Sequence, residues 1–215
     1  LNPLLAVTMK KISVLNILFC LLLLSLLASY TVLANNGGPQ TCVGNFAGAS
    51  FGDLVVPEGQ TCQLDRFNVV DGSIKVEKGA SLIVCPDNEI HGDVKAHQAN
   101  SVFISDIVGG PCSRPKVRGI TIDGDVKVQG GSSVSLVGNP FGGVAVIEGD
   151  VKVENVGEVS IQSFNGLSRI EGDVKVEHSG VVTVADNIID GDLKIKGTTG
   201  ACIEQNNLVS GKINS

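Results

Sequence analysis

The chain has 215 residues, with 22 acidic and 16 Lys or Arg side chains, and its formal net charge is -6. An acidic chain without a basic cluster binds poorly to nucleic acid or to an anionic membrane surface, since both attract positive charge. Aromatic residues make up only 4% of the chain, with no Trp and one Tyr, so the ring platforms on which sugars stack are scarce.

The first predicted element is a secretory signal over residues 9–34. Met9 is followed by two lysines and an apolar run, and Val32 and Ala34 occupy the -3 and -1 positions of a cleavage site. The run is also long enough to span a membrane, so a retained anchor is the alternative. Residues 1–8 are interpreted as translation upstream of the start. Cleavage predicts a secreted, cell-surface or periplasmic protein of 215 - 34 = 181 residues and net charge 14 - 22 = -8, without further membrane contact.

A repeat occupies most of the remaining chain. The eight residues IEGDVKVE occur at 147–154 and again at 170–177. Related units begin at a glycine that is followed in most copies by Asp, an aliphatic residue and Lys. These glycines are Gly52, Gly72, Gly92, Gly124, Gly149, Gly172, Gly191 and Gly211. Their spacings of 20, 20, 32, 25, 23, 19 and 20 residues indicate a period near 20, with additions between residues 105 and 171.

Each unit contains two short segments in which Val, Ile or Thr alternates with polar residues, a pattern typical of strands. The same side-chain order in every unit favours a coil that climbs one strand spacing per turn over a series of hairpins. We therefore predict an all-β, single-stranded parallel β-helix, a solenoid with about eight coils of about 20 residues. The right-handedness of parallel crossovers favours a right-handed coil. An N-terminal cap is predicted at 35–51 and the β-helix at 52–215, with an insert at 106–122.

Stacking of the coils predicts columns of equivalent residues about 4.8 Å apart. The inward column contains Val94, Val126, Val151, Val174 and Leu193. A second column lies at a corner, where asparagine tolerates left-handed backbone geometry and bonds its own main chain. This predicted structural ladder contains Asn68, Asn88, Asn139, Asn187 and Asn207.

Strand alternation places the charged residues of each unit on the outer face. A column of lysines contains Lys75, Lys95, Lys127, Lys152, Lys175 and Lys194, beside a column of aspartates. The candidate ligand-binding part of this face is Asp125, Lys127, Asp150, Lys152, Asp173 and Lys175. The pattern favours a solvated charge lattice, which keeps a β-rich protein soluble and resists lateral pairing, over the binding of a repeating polymer by this face. Calcium could bind the aspartates with Glu154 and Glu177, but the interleaved lysines compete with it, and no cofactor is predicted.

Five cysteines remain after signal cleavage. Cys42 and Cys62 are 20 residues apart, one coil, so stacking places their Cα atoms within disulfide range. Cys85 and Cys112 form a weaker predicted pair, because Cys112 lies in the insert. Cys202 is then unpaired and is interpreted as a small buried apolar residue, with a reactive thiol as the alternative.

No catalytic residues are predicted. Enzymes built on parallel β-helices need clustered carboxylates, or a calcium site with a basic residue, whereas the acids here are regular members of the repeat. The arginines are scattered and the histidines are interpreted as surface residues. These residues are Arg66, Arg114, Arg118, Arg169, His91, His97 and His178.

Cys42 to Asn214 resembles a group of small secreted bacterial right-handed parallel β-helix proteins with a pectate-lyase-like fold, largely uncharacterised. The resemblance rests on LVVPEGQTCQLDRFNVVDGSIKVEKGASLIV and on the following units of the GDVKV and GDLKI type. There is a looser similarity to bactofilins, the polymer-forming β-helix proteins of the bacterial cytoskeleton, but the signal sequence argues against that assignment. A repeat signature reports architecture better than function.

The sequence thus favours a secreted, non-enzymatic structural or surface-interaction protein whose partner is an extracellular polymer or glycan. Open ends of a β-helix also allow end-to-end self-association. The alternative is a carbohydrate-active or polysaccharide-binding protein that uses an outer face near the insert at 106–122, where Arg114, Lys116 and Arg118 lie close together in the sequence.

Overall fold

A computed structural model of the chain describes residues 38–105, 112, 119–138, 145–163 and 168–215. Several predicted features lie outside the described residues: residues 1–8, the signal at 9–34, Asn139, and the insert side chains Arg114, Lys116 and Arg118. The regular secondary structure of the described residues consists of β-strands alone, as the repeat predicts.

The strands are short except where two of them merge into one. In chain order they are β1 Gln40–Thr41, β2 Gly44–Phe46, β3 Ser50–Phe51, β4 Leu54–Val56, β5 Thr61–Leu64, β6 Val69–Val70, β7 Ile74–Val76, β8 Ser81–Val84, β9 Glu89–Ile90, β10 Val94–Ser105, β11 Thr121–Ile122, β12 Val126–Gly138, β13 Val146–Ile147, β14 Val151–Ser163, β15 Arg169–Ile170, β16 Val174–Glu177, β17 Val181–Ala185, β18 Ile188–Ile189, β19 Leu193–Lys196, β20 Cys202–Gln205, β21 Leu208–Val209 and β22 Ile213–Asn214.

Each strand pairs in parallel with the equivalent strand of the neighbouring repeat unit. The larger sheet runs in the order β1-β4-β7-β10-β12-β14-β16-β19-β22, and the branches β2-β5-β8 and β17-β20 join it at β10 and β14. The smaller sheet has the order β3-β6-β9-β11-β13-β15-β18-β21. The predicted all-β architecture of parallel strands is confirmed, and this topology is consistent with a solenoid.

The core lies between the sheets and is built from stacked aliphatic columns. Val94 pairs in register with Val126, and the column continues through Val151, Val174 and Leu193. All five side chains are 0% exposed, so this predicted column is confirmed. Burial of each such side chain contributes roughly 1.5–3 kcal/mol, and it is complete only because a unit lies on either side.

The structure adds a third strand of two residues to each unit, which forms the smaller sheet. Its second residue points inward and is buried at Val70, Ile90, Ile122, Ile147, Ile170 and Ile189. The sequence pattern did not separate this strand from the turn, because two residues are too few to show an alternation.

The asparagine ladder lies at the corner before the smaller sheet. Asn68 donates from Nδ2 to Asn88 Oδ1 at 2.8 Å, and Asn187 donates to Asn207 Oδ1 at 3.1 Å. The expectation of left-handed backbone at the asparagines is wrong, because the residue before each one has the positive φ. These residues are Phe67, Asp87, Asp186 and Asn206, with φ of 56°, 63°, 60° and 54°. The left-handed residue turns the chain, so that the asparagine side chain points into the corner and bonds main-chain carbonyls.

A second left-handed corner lies between the first and second strands of each unit. Its residues have φ between 50° and 70°: Gly59, Gly79, Gln98, Gly130, Asn155, His178 and Gly197. In β10, β12 and β14 the larger sheet passes through this corner without interruption. The outer face before the corner carries the lysine column.

Within the segment predicted as a cap, residues 40–51 form β1, β2 and β3, which pair with β4, β5 and β6. Phe46 and Phe51 meet edge to face, with ring centroids 5.4 Å apart and planes at 87°. Both rings are half-buried and pack against the core. This segment therefore extends the repeat and adds an aromatic pair beside its first buried columns.

Candidate functional site

Six lysines stack in one column on the outer face of the larger sheet. Alternation directs them outward because the residues on either side of each lysine in the strand are buried. The column is in register at every step from Lys75 through Lys95, Lys127, Lys152 and Lys175 to Lys194. Equal charges directly across neighbouring strands repel one another, so the column depends on carboxylates beside it.

Two lysines in the middle of the column bind the aspartate two residues earlier in their own unit. Lys95 Nζ lies 2.6 Å from Asp93 Oδ2, and Lys127 Nζ lies 2.5 Å from Asp125 Oδ2. These contacts, together with backbone hydrogen bonds, lower the pKa of both aspartate carboxyls. The Asp125 carboxylate correspondingly raises the pKa of Lys127.

The other lysines bind a glutamate on the opposite side of the column. Lys75 lies 3.2 Å from Glu77, and Lys152 lies 3.0 Å from Glu154, each two residues later. Glu177 accepts from two lysines, at 2.8 Å from Lys175 and 3.0 Å from Lys194.

Glu177 is the most strongly shifted acid among these groups. Hydrogen bonds from Lys175 and then Lys194 lower its pKa from 4.5 to about 2. The contact with Glu177 in turn raises the pKa of Lys175. Glu177 and Lys175 therefore keep their charges at neutral pH, and the contact of Glu177 with Lys194 joins β16 to β19 at the surface.

The aspartates that follow the repeat glycines connect the units along the solenoid. Asp125 Oδ1 accepts the backbone N–H of Asp150, and Asp150 Oδ1 accepts that of Asp173, both at 2.8 Å. The same bond recurs with the acceptors Asp53, Asp93, Asp173 and Asp192. In the unit that has serine in this position, Ser73 Oγ accepts from Asp93 N at 3.2 Å. The outer aspartate column therefore forms a ladder of hydrogen bonds between neighbouring units. Strand alternation predicted only that these side chains face outward.

The glycine before each ladder aspartate is required by the close approach of neighbouring backbones. A Cβ atom on Gly149 would lie 2.6 Å from the carbonyl carbon of Gly124, and one on Gly191 would lie 2.6 Å from the Gly172 oxygen. Carbon atoms do not approach so closely without displacement of the backbone. Structure therefore explains both residues of the Gly-Asp pair: the aspartate bonds the next unit, and the glycine allows the two backbones to approach.

A groove of about 640 Å³ runs along the first part of the lysine column. Its walls include the four lysines from Lys75 to Lys152 and the polar residue two positions after each of them, with Glu58 and Lys78 at the turn. A smaller cleft of about 160 Å³ continues over the later units, between Asp150 and Asn214.

The residues two positions after the lysines form the second column of this face. His97 pairs in register with Gln129, Gln129 with Glu154, and Glu154 with Glu177. His97 and Gln129 are exposed, and within the described residues neither side chain has a hydrogen bond or ion pair. His97 and Gln129 thus lie where the units of Lys75, Lys152 and Lys175 carry glutamate and the unit of Lys194 carries Lys196.

The structure brings the predicted ligand-binding residues onto one face, but it divides their roles. Lys127, Lys152 and Lys175 lie in the exposed column, and Lys127 and Lys152 line the groove. In contrast, Asp125, Asp150 and Asp173 each use Oδ1 to accept a backbone N–H from the next unit. One carboxylate oxygen of each aspartate is thus engaged within the protein, while Lys152 and Lys175 are in turn engaged by Glu154 and Glu177.

The remaining arginines and histidines of the described residues occupy separate places. His91 Nδ1 lies 3.2 Å from Asp71 Oδ1, and Arg169 binds Asp190 at 2.6 Å. The guanidinium carbon of Arg66 lies 5.4 Å from the ring centroid of Phe67. These contacts are typical of surface side chains and do not assemble a cluster.

Both predicted cysteine pairs are disulfides in the structure. The Cα atoms of Cys42 and Cys62 are 5.3 Å apart, and those of Cys85 and Cys112 are 5.4 Å apart. The four cysteines are buried. Each bond joins neighbouring units, across 20 and 27 residues of sequence.

The interpretation of Cys202 as a buried residue is wrong, because its side chain is exposed. It pairs in register with Val182, which is 0% exposed and points inward. β20 pairs only with β17 among the described strands, so no further strand covers Cys202. Partial desolvation, followed by the nearby Glu204 carboxylate, raises the pKa of its thiol.

The described residues contain no group of three or more His, Cys, Asp or Glu side chains placed to hold a metal ion. No helix with the length and hydropathy needed to cross a membrane occurs in this part of the chain.

No protein-family model, curated protein or solved structure matches the chain.

Proposed function

We propose that this protein is a secreted, non-enzymatic structural or surface-interaction β-helix protein that presents a rigid charged face to an extracellular polymer. The observation that supports this proposal is that the acidic groups of the face are engaged in hydrogen bonds and ion pairs within the protein. The Oδ1 atoms of the repeat aspartates bond the next unit, and the glutamates beside the column bind lysines. Acids engaged in this way stabilise a surface, whereas hydrolysis and elimination need carboxylates free to exchange protons.

For the fold we propose a right-handed coil with about eight turns of about 20 residues. The repeat spacing supports the number of turns, and the handedness of parallel crossovers supports the hand. We also propose membership of the secreted bacterial β-helix proteins that the sequence resembles. A location outside the cytoplasm is supported by the predicted signal and by two disulfides, which form and persist in oxidising compartments.

The proposed ligand is an extended polymer or glycan because the groove repeats the same two positions over four strands. Four lysines in register present equivalent groups at intervals of about 4.8 Å, which matches a repeating ligand better than a compact molecule. End-to-end self-association remains part of the proposal, since β20, β21 and β22 each pair with only one other described strand.

The second candidate is a carbohydrate-active protein. The observation that favours a glycan is the groove itself, which lies beside β7, β10, β12 and β14. The insert residues Arg114, Lys116 and Arg118, on which the sequence-based version of this candidate depended, lie outside the described residues.

A polysaccharide panel distinguishes these candidates. The mature chain is incubated with neutral and acidic polysaccharides, and both the release of reducing ends and the retention of protein on the immobilised polymers are measured. We expect retention on at least one polymer without release of reducing ends. The Lys95→Ala/Lys127→Ala variant is assayed in parallel. Release of reducing ends by the wild-type chain but not by this variant would contradict the non-enzymatic proposal and favour the second candidate.

A further inference from the structure

We propose that the groove contains an anion-binding subsite formed by His97, Gln129, Lys95 and Lys127. Its ligand is the carboxylate or sulfate group of an acidic polysaccharide. This inference rests on the proposed function, because it specifies the chemical class of the polymer that the charged face binds.

The first observation is a local break in the repeat. The residue two positions after the column lysine is glutamate in the units of Lys75, Lys152 and Lys175 and is Lys196 in the unit of Lys194, whereas the uncharged-amide and imidazole side chains Gln129 and His97 occupy it in two consecutive units. Those two residues pair in register at the middle of the groove. Lys196 lies outside the groove, whereas the two adjacent exceptions His97 and Gln129 both line it, so stacking alone does not explain them.

The second observation is the arrangement of the two central lysines. In the absence of a glutamate on the groove side, Lys95 and Lys127 bind Asp93 and Asp125 on the other side. Their side chains remain 54% and 46% exposed. An ammonium group has three N–H donors, so each lysine keeps donors for a ligand after its bond to the aspartate.

The third observation is that the neutral pair has no competing partner. The His97 ring and the Gln129 amide are exposed and make no hydrogen bond or ion pair within the described residues. Both can donate to an anionic oxygen. A glutamate at either position would instead repel an anion and would offer the neighbouring lysine a second carboxylate. With His97 and Gln129 in these positions, the lysines have no such partner on the groove side, and all four side chains can donate hydrogen bonds to an anion.

The groove also indicates an extended carrier for the anion. Its lysines span four strands, or roughly 14 Å at the parallel strand spacing. Glu77 and Glu154 bound the central subsite on either side of the neutral pair. The chain has a formal net charge of -6, so much of its surface repels a polyanion, whereas the lysines of the groove attract one.

Three polymers with one backbone test the proposal: dextran, carboxymethyl-dextran and dextran sulfate. Binding to the mature chain is measured by isothermal titration calorimetry at low ionic strength. We expect binding to at least one of the two anionic polymers, which identifies the group as carboxylate, sulfate or either, and at least tenfold weaker binding to dextran. Equal binding of dextran, or no binding of any of the three, overturns the inference.

His97→Glu/Gln129→Glu tests the location of the subsite. It restores the glutamate that Glu77 and Glu154 supply in the flanking units, and we expect at least a tenfold loss of affinity for the anionic polymer. The matched control, Thr199→Glu/Gln205→Glu, adds the same charge at exposed positions outside the groove and should change affinity less than threefold. Equal losses in both variants would show non-local repulsion and would contradict the assignment.

His97→Ala/Gln129→Ala adds no charge and covers the case in which the glutamate variant fails to fold. Wild-type affinity in this variant, with an unchanged melting temperature, also overturns the assignment. Release of reducing ends in the polysaccharide panel would refute the non-enzymatic function, whereas absence of anionic binding in the dextran series would refute only this subsite.

Discussion

The Asp125 carboxylate accepts the backbone N–H of Asp150 at 2.8 Å, although the two residues are 25 positions apart. The bond joins two neighbouring units beside the close approach of Gly149 to the Gly124 backbone. The second carboxylate oxygen of Asp125 binds Lys127. A single side chain therefore joins the backbone of the solenoid to the lysine column on its surface.

Replacement of this aspartate tests the ladder. Asp125→Ala removes the acceptor, and we expect the free energy of unfolding to fall by about 1–2 kcal/mol. Asp125→Asn is the matched control, because it loses the same charge but keeps Oδ1 as an acceptor, and it should cost less than about 0.5 kcal/mol. Chemical denaturation of both variants provides the measurement. Equal destabilisation would show that the charge, and not the backbone hydrogen bond, is responsible.

The glycines of the repeat should tolerate no side chain. We expect Gly149→Ala to destabilise the protein by about 2 kcal/mol or more, because its Cβ would overlap the Gly124 backbone. Gly38→Ala is the control, since nothing lies within 4 Å of a Cβ at that position and its φ is not positive. Melting temperatures measured by circular dichroism compare the two. A Gly149→Ala variant as stable as the control would contradict the close approach.

The buried amide of Asn88 tests the corner ladder. Its Nδ2 donates to Cys85 O at 2.6 Å and to Leu64 O at 3.1 Å, while the residue is 1% exposed. Asn88→Asp cannot donate to these carbonyls and buries a charge, so we expect a loss of about 3 kcal/mol at neutral pH.

The control for this change is Asn207→Asp, at an equivalent ladder position that is only half-buried. It should cost clearly less than Asn88→Asp in the same urea titration. If Asn207→Asp lowers the free energy of unfolding more than Asn88→Asp does, burial of the ladder amide does not determine the loss of stability.

Acid should destabilise the protein through the column carboxylates. The folded pKa of Glu177 is lowered from 4.5 to about 2, and the pKa values of Asp93 and Asp125 are also lowered. The unfolded chain therefore binds more protons between about pH 5 and pH 2, so this contribution is present above the unfolded pKa and is lost as pH falls through the folded pKa. Urea midpoints from pH 7 to pH 2.5 measure the loss. Glu177→Gln should reduce the pH dependence in this window, and an unaltered slope would argue against its ion pairs.

Thiol labelling tests the cysteine assignments. With Cys42–Cys62 and Cys85–Cys112 bonded and Cys202 exposed, the native mature chain should react with one equivalent of a thiol reagent. The raised pKa of Cys202 predicts a rate that increases steeply with pH above neutrality. Cys202→Ser should abolish the reaction, and labelling of more than one thiol without denaturant would contradict the disulfides.

Much of the fold could be predicted because neighbours in a stacked repeat are about one period apart in the sequence. The sequence places Val94 and Val126 in one column because each follows a Gly-Asp pair. The Cys42–Cys62 disulfide was predicted from a separation of 20 residues, equal to the period, although Gly44 and not Cys42 lies in register with Cys62. The two-residue strand at Val69–Val70 was not predicted, because it carries no periodicity of its own.

The sequence by itself determined which residues stack, which of them face inward and where the lysine column lies, because period and alternation are properties of the chain. Tertiary structure alone decided that Asp125 Oδ1 bonds the next unit, that Phe67 and not Asn68 takes the left-handed conformation, and that His97 and Gln129 meet inside a groove. The exposure of Cys202 was decided in the same way, because its inward position is buried only where another unit covers it. These outcomes depend on side-chain direction and on the neighbouring backbone, which a one-dimensional repeat does not specify.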